Sequence, residues 1–461
     1  MPDWHRGRRR AGPTIRDEQE LVTITDDRHA LRQAGGVVVV PGARYTSQEF
    51  FDLEMERLWP RVWQVACREE EIPNSGNFLE YTIGDQSILV VRSDHENFRA
   101  YFNACPHRGT RIASGVGTFA ASQIRCPYHG WRWSLEGKIA EVVDRHEFPD
   151  AMTDDLVCLG EVQVGRWGGF VFVNMDPDCE PFDSFLGNIP DRFATYRFHN
   201  LRFRSYRTIV FECNWKTAVD AFNESYHPQA LHPQMLSWFN DTLFTYEQLG
   251  QHSCYYVPED RQREAGPSPR LGLRKEDVDP AQVLAERVDA VAGLFPREDQ
   301  AVLEDLKKNG PPPGKTIGKV FDELRLNAMR RAGMEVEGLT DRDLRGSGTI
   351  HLFPNFLGPI THGNATLYRA RPNGLDPDST LLDYWALEWV PPDSEPKPVE
   401  RKFYEDWTTK DWGLINNQDF GNLLKVTRGM KSKGYRGAML NPVQEANLIH
   451  HHRVLDQYLS A

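Results

Sequence analysis

Two short boxes, Cys105-Pro-His107-Arg-Gly and Cys126-Pro-Tyr-His129-Gly-Trp131, each set a thiol beside an imidazole. A single tetrahedral zinc takes two cysteines and two histidines, but zinc fingers place the cysteine pair ahead of the histidine pair. Here the two residue types alternate. That order is the one needed when two sulfide-bridged irons are held, one by both cysteines and the other by both histidines. Neutral imidazoles lower the negative charge of such a cluster, so its potential rises above that of an all-cysteine cluster. The boxes point to a [2Fe–2S] centre, with zinc as the alternative.

A second constellation follows in Asn214-Trp-Lys-Thr-Ala-Val-Asp-Ala-Phe-Asn-Glu-Ser-Tyr-His-Pro-Gln-Ala-Leu-His232. Read as a helix, it has an apolar row at Trp215, Val219, Phe222 and Tyr226. A polar row runs through Lys216, Asp220, Asn223, Glu224 and His227. Asn214 is a natural N-cap, and Pro228 disfavours the α conformation at His227, so the helix is expected to end or bend there. His227 and His232 then converge across a helix end, with Glu224 one turn before. Taken alone, such a histidine pair is more often a surface or capping feature. The upstream boxes shift the reading toward a second metal.

With these motifs the chain resembles the α subunit of Rieske non-haem iron oxygenases, the aromatic ring-hydroxylating oxygenase family. The likeness spans nearly the whole chain: both boxes, the Asn-Trp-Lys…Glu-x-Tyr-His-x4-His stretch, and Gln418-Asp419 near the C-terminus. Respiratory Rieske proteins carry a further cysteine in each box. Here those neighbourhoods hold Arg108, Gly109, Thr110 and Tyr128.

The resemblance implies that Cys105, His107, Cys126 and His129 hold a Rieske [2Fe–2S] cluster. It implies that His227 and His232 hold a mononuclear Fe(II), with Asp419 as third ligand and Asp411 and Glu405 as alternatives. Two imidazoles and one carboxylate leave positions open for dioxygen. Glu224 falls where the family bridges its two metal centres, through His129 and His227 on neighbouring subunits, which implies a head-to-tail homotrimer. Aspartate is common at that position. The implied activity is that of a terminal oxygenase, using O2 to hydroxylate an aromatic or other apolar organic substrate by dihydroxylation, monooxygenation or demethylation. No flavin or nicotinamide motif is present, so a reductase, with or without a ferredoxin, must supply electrons. A small β subunit is left open. The other reading, a Rieske electron carrier without catalysis, would need about a quarter of this length and no second iron motif.

The elements that must position these residues follow from patterning. From Val62 to Val173, short alternating or apolar runs such as Ser87–Val91 and Gly169–Val173 lie between turn signals, as in a small all-β domain. A helix over Ser47–Trp59 precedes it, after an irregular stretch to about residue 45. Pro177, Pro181 and Pro190 mark a linker. Beyond it, a strand is expected at Ser205–Glu212 and helices at Ala281–Val291, Glu298–Lys308 and Ile317–Arg331, the 280–334 region reading as an insertion. Strands return at Thr349–Phe353, Ala365–Ala370 and Leu381–Val390, before a helical region from Tyr404 to Tyr458. The fold class is α+β: the Rieske domain at 46–180 and a larger catalytic domain at 181–461, with an antiparallel sheet covered by helices. An arm, 1–45, packs with the latter. Phe222, Leu231, Phe353, Phe356 and Leu357 are pocket candidates. His450–His452 lie in an amphipathic helix and read as a solvated or packed face. Gly310-Pro-Pro-Pro-Gly-Lys imitates a phosphate loop, but prolines lack the N–H groups such a loop needs, so it reads as a turn.

Composition sets the outer bounds. The chain has 461 residues, 40% apolar and 26% charged, long enough for two domains. A net charge of −12 argues against a nucleic-acid partner. The basic cluster Arg6, Arg8–Arg10 has no apolar run after it and reads as a flexible tail. Nothing approaches the ~20 apolar residues of a membrane span. Seven scattered cysteines do not form a disulfide framework, so a cytoplasmic protein is expected.

Overall fold

The computed structural model describes residues 28–460 except 35, 259, 262–265, 273–279, 292–296, 335, 338–347 and 391–398. The basic N-terminal cluster lies outside the described residues. Two compact units emerge, one over Asp52–Leu186 and the other combining described residues up to Phe51 with Gly187–Ser460.

The first unit is built on an antiparallel sheet of seven strands, in the order Gln64–Arg68, Phe170–Asn174, Glu161–Trp167, Phe98–Phe102, Gln86–Arg92, Asn77–Ile83, Val116–Thr118. A three-stranded sheet of Gln123–Arg125, Arg132–Ser134 and Ile139–Glu141 completes it. The expected linker is partly helical, with short helices at Phe182–Leu186 and Ile189–Arg192.

The second unit carries eight strands in one sheet: Thr245–Leu249, His252–Tyr256, Gly348–Leu352, Phe356–Thr361, Asn364–Pro372, Thr380–Trp389, Leu201–Phe211 and Arg401–Tyr404. Every neighbouring pair is antiparallel except the last. Helices Trp215–Phe222, Leu414–Met430 and Ala446–Ser460 belong to the same unit. The 280–334 region forms the helices Pro280–Val291, Gln300–Asn309 and Ile317–Arg331, which share a small core of Leu284, Val288, Leu303, Leu306, Val320, Phe321 and Leu324. The proline run between the second and third of these is a connecting turn.

Two expectations need correction. Residues 32–40 are not irregular: Arg32–Ala34 pairs with Val37–Val40, which pairs with Ala438–Leu440. Their partner lies near the other end of the chain, so no local pattern announces it. The same strand interrupts the long C-terminal helical region.

One face of the eight-stranded sheet is pinned by a buried charge. Asp383 takes hydrogen bonds from Thr208 Oγ1 (2.7 Å), Arg369 Nε (2.8 Å) and Arg371 Nε (2.8 Å). Burial opposes its charge, but the two guanidiniums outweigh burial and hold the carboxyl well below the usual range. A depressed folded pKa stabilises above the unfolded value of about 3.9, and the stability is lost as pH falls. Asp383→Asn leaves two buried cations uncompensated. It is expected to cost about 3–5 kcal/mol, read as a lower midpoint of chemical denaturation.

Candidate active site

In the first unit the two boxes fold as matching loops. Cys105 N–H donates to the Thr110 carbonyl and Cys126 N–H to that of Trp131, both at 2.9 Å. Gly109 and Gly130 return the bond to Cys105 and Cys126, and both adopt positive φ (74° and 79°), which suits glycine. The thiols are buried next to each other. Burial pushes the Cys105 thiol up, the backbone N–H of His107 opposes this, and Cys126 raises it further. The imidazoles face each other with Nδ1 atoms 3.1 Å apart, and His107 stacks on Trp131 at 4.7 Å. Burial, then His129 and Arg108, lower the His107 pKa. Two clustered thiols and two facing ring nitrogens are a donor set that fits a [2Fe–2S] cluster held by Cys105, Cys126, His107 and His129.

In the second unit, helix Trp215–Phe222 opens as expected, with Asn214 Oδ1 accepting from Lys216 N at 3.1 Å. It stops at Phe222, earlier than Pro228 suggested. His227 itself has αR geometry (φ −69°, ψ −27°), and Pro228 is the first residue of a short helix, Pro228–Leu231. There a missing N–H costs nothing. The break is stabilised by Glu224, whose Oε2 accepts from the backbone N–H of Tyr226 and of His227 (3.1 Å to the latter). Tyr226, Glu224 and His227 therefore do not continue the helical rows. The remaining polar row faces protein, with Lys216 and Asn223 buried and Asp220 half-buried. Lys216 is fully buried, and Asp220 accepts from Tyr45 Oη at 2.6 Å, which lies 2.8 Å from His452 Nε2.

The break brings three groups together. His227, His232 and Asp419 each offer a ligand atom, all within 4.8 Å of one another. Asp419 Oδ1 lies 2.9 Å from His232 Nε2 and 3.7 Å from His227 Nε2. His227 Nδ1–H donates to Glu224 Oε1 and His232 Nδ1–H to Gln418 Oε1 (2.9 Å), which also accepts from Gln234 Nε2 (2.8 Å). Each acceptor fixes the tautomer that turns the Nε2 lone pair toward Asp419. The buried Nε2 of His232 has no hydrogen-bond partner. This donor set, neutral imidazoles plus one carboxylate, fits a mononuclear Fe(II).

Burial opposes a charge on His227, but Glu224 outweighs it and raises the pKa, with Asp419 and Glu445 adding. Burial first, then Glu224 and Asp220, push the carboxyl of Glu445 up to about 7 against the opposing Asn441 N–H. Asp411 and Glu405 are exposed on the surface, and Asp411 bonds Gly413 N and Asn417 Nδ2 instead.

The sheet face behind the site follows from register. Tyr246 pairs with Tyr255, Tyr255 with Thr349, His351 with Leu357, Leu357 with Tyr368 and Tyr368 with Tyr384, so these residues share a face. Phe222 stacks on Tyr368 (4.2 Å), and Asp419 acts electrostatically on both Tyr255 and Tyr368. Tyr246 Oη meets Ser225 Oγ at 2.6 Å, and Asn223 Nδ2 lies 3.3 Å from His351 Nδ1. Of the pocket candidates, Phe222 and Leu231 are half-buried, and Leu357 shares the tyrosine face. Phe353 packs on His451 and Tyr458, and Phe356 on Trp385; both are core. All three of His450–His452 are buried, a packed face rather than a solvated one.

Sequence reasoning missed Gln418 as the residue orienting His232, Gln234 behind it, and the tyrosine face. Gln418 was visible only as half of a dipeptide motif, and nothing local pairs it with a histidine so far away in the chain.

Comparisons with known proteins match both parts of the chain. Residues 198–461 match the family model for the ring hydroxylating alpha subunit (catalytic domain), and residues 62–151 match the Rieske [2Fe-2S] domain. The glycine betaine monooxygenase oxygenase subunit of Chromohalobacter salexigens is 26% identical over 91% of this chain and 85% of its own. The carnitine monooxygenase oxygenase subunit of Escherichia coli is 32% identical over 42% of this chain and 52% of its own. The anthranilate 1,2-dioxygenase large subunit of Acinetobacter baylyi is 31% identical over 45% of each chain. Among solved structures, a quaternary ammonium Rieske monooxygenase in complex with L-carnitine superposes with TM-score 0.61 at 19% identity, covering 91% of this chain and 95% of that one. Naphthalene 1,2-dioxygenase from Rhodococcus sp. bound to indole gives 0.60 at 20%, covering 92% and 94%.

Proposed function

The chain belongs to the ring-hydroxylating oxygenase α-subunit family, and from that premise we propose how its residues divide the work of a terminal oxygenase. It is a Rieske non-haem iron oxygenase with a [2Fe–2S] cluster and a mononuclear iron. Rieske oxygenases take electrons from a reductase and associate as multimers. When bound, cluster and iron together supply the redox chemistry that reduces dioxygen for insertion into an organic substrate. Monooxygenation balances with two electrons and two protons, one oxygen atom going to product and one to water.

In our assignment Cys105, His107, Cys126 and His129 hold the cluster, and His227, His232 and Asp419 hold the iron. Glu224 accepts the His227 Nδ1 proton and is the carboxylate through which the two centres communicate across subunits. Gln418 orients His232. The observation that carries this reading is the convergence of His227, His232 and Asp419 within 4.8 Å. An electron carrier has no use for such a site. The aromatic-catabolism expectation widens, because relatives are named for glycine betaine and carnitine as well as anthranilate. Stacked tyrosines and Phe222 beside the site suit either an aromatic ring or, by cation–π attraction, a quaternary ammonium. We assign a head-to-tail homotrimer in the cytoplasm, fed by a reductase with or without a ferredoxin. No helix among the described residues is long and apolar enough to cross a membrane.

The test is spectroscopic. Purified protein should be coloured, with acid-labile sulfide and a rhombic reduced EPR signal whose average g lies below that of four-cysteine clusters. His107→Cys should move the signal toward the four-cysteine form. Colourless protein that takes up zinc after anaerobic iron–sulfide reconstitution would overturn the cluster assignment.

A further inference from the structure

Beside the iron site three aromatic rings lie almost parallel. Phe222 stacks on Tyr368 with centroids 4.2 Å apart and planes 8° from parallel, and Tyr368 stacks on Tyr384 at 5.3 Å and 10°. The series continues to Trp412, 6.3 Å from Tyr384, and to Tyr404, 5.0 Å from Trp412. Its inner end is tied to the helix that carries Asp419. Tyr368 Oη donates to Asn416 Oδ1 at 3.3 Å, and Asn416 Nδ2 donates to Tyr384 Oη at 3.4 Å. Asn416 precedes Asp419 by three residues on helix Leu414–Met430, so the two side chains are neighbours on one face, about 5–6 Å apart at Cβ. Asp419 also acts electrostatically on Tyr368. Tyr368 and Trp412 are buried, Tyr384 and Tyr404 half-buried, so the series leads from the ligand helix to the surface.

Resting on the oxygenase reading, we propose that Tyr368, Tyr384, Trp412 and Tyr404 carry electrons inward one at a time, discharging the iron site when dioxygen is reduced there without a substrate. Phenol and indole side chains give up a single electron far more readily than phenylalanine, and rings in contact pass it on. Four such side chains in succession exceed what packing asks. Phenylalanine fills the same space without a hydroxyl that burial must satisfy. Reduction of O2 to two waters takes four electrons and four protons. Two electrons come from the reductase, and an oxidised substrate gives the other two. Without substrate the ladder gives them: for each, the phenol of Tyr404 loses one electron inward and its proton to water. A low-molecular-weight thiol in solution returns both as a hydrogen atom, and two such events make one disulfide. Oxidation settles at Tyr404 rather than at Trp412 for an electrostatic reason. An oxidised indole is a cation, and the Arg207 guanidinium and Lys410 ammonium lie 5.9 and 5.5 Å from that ring. The Trp412 N–H bonds the Trp407 carbonyl at 2.6 Å, an acceptor too weakly basic to take the proton.

The test mixes reduced holoprotein with dioxygen and no substrate, with catalase present to remove free peroxide. Freeze-quenched EPR should show an organic radical, and peptide mass spectrometry should find oxidation concentrated at Tyr404. Tyr384→Phe keeps the stacked ring but removes the phenol, so the Tyr404 product should be lost while oxidation of Phe222 and His227 grows. A purely structural role for these rings moves none of these products. Iron content and the cluster spectrum check the variant; if it does not fold, Trp412→Phe decides. Absence of oxidised Tyr404 in the wild type, its persistence in the deciding variant, or its persistence in iron-depleted Asp419→Ala overturns the ladder. The oxygenase reading is judged separately, by hydroxylated product formed with a surrogate reductase and a panel of aromatic and quaternary ammonium compounds. Product there upholds that reading even where Tyr404 stays unmodified.

Discussion

Asp419→Ala should yield a protein with an intact cluster spectrum, little mononuclear iron and no oxygen-dependent turnover. The carboxylate is buried on helix Leu414–Met430, and its Oδ1 is the group toward which both Nε2 atoms turn. Losing a group that merely supports a ligand typically costs 10- to 100-fold in metal affinity or activity. Losing the only carboxylate of the three should exceed about 100-fold. The helix should tolerate the change, because alanine is the best helix former and the removed group is a buried charge. The cluster ligands lie in the other compact unit and share no donor with this site. Iron analysis, absorbance and product formation on one preparation separate the effects. His227→Ala and His232→Ala should behave alike. A folded Asp419→Ala with wild-type iron and turnover would remove Asp419 from the ligand set.

The parts of this molecule legible in the sequence are those whose chemistry is local. The two boxes could be read because each closes on itself, with Gly109 and Gly130 at equivalent places in equivalent loops. The helices of the 280–334 region were legible because their apolar periodicity faces a small shared core. What stayed hidden depends on distant partners. Val37–Val40 becomes a strand only because Ala438–Leu440 is there to pair with it. The polar row of the opening helix was legible, but its partners were not: Lys216 and Asp220 meet Tyr45 and His452 from opposite ends of the chain. The end of that helix was misplaced for a different reason. Proline was weighed as a breaker, whereas the Glu224 carboxylate binding the Tyr226 and His227 N–H groups supports the break.

Glu224→Gln should keep both metals and lose most of the communication between them. In the structure the carboxylate serves two tasks at once: Oε2 takes two backbone N–H groups, and Oε1 takes the Nδ1 proton of His227. Glutamine has the same shape but a single acceptor oxygen, so its amide nitrogen must face one of these donors. The backbone break and the His227 tautomer then compete for that oxygen. Iron affinity should fall by an amount typical of a supporting group, and excess Fe(II) should still fill the site. What cannot be restored by added iron is the negative charge. A carboxylate strengthens hydrogen bonds from imidazole N–H donors, both from His227 and, in the assembly we assign, from His129 of a neighbouring subunit. With full metal loading, reoxidation of the reduced cluster after mixing with dioxygen and substrate should slow about 10- to 100-fold. Stopped-flow absorbance reads this directly, since the cluster stays bleached on the timescale of wild-type turnover. Glu224→Asp keeps the charge and shortens the reach, so it should fall between the two if charge is the decisive property. Wild-type reoxidation in a fully loaded Glu224→Gln would show that electrons take another path and that Glu224 serves only to hold His227.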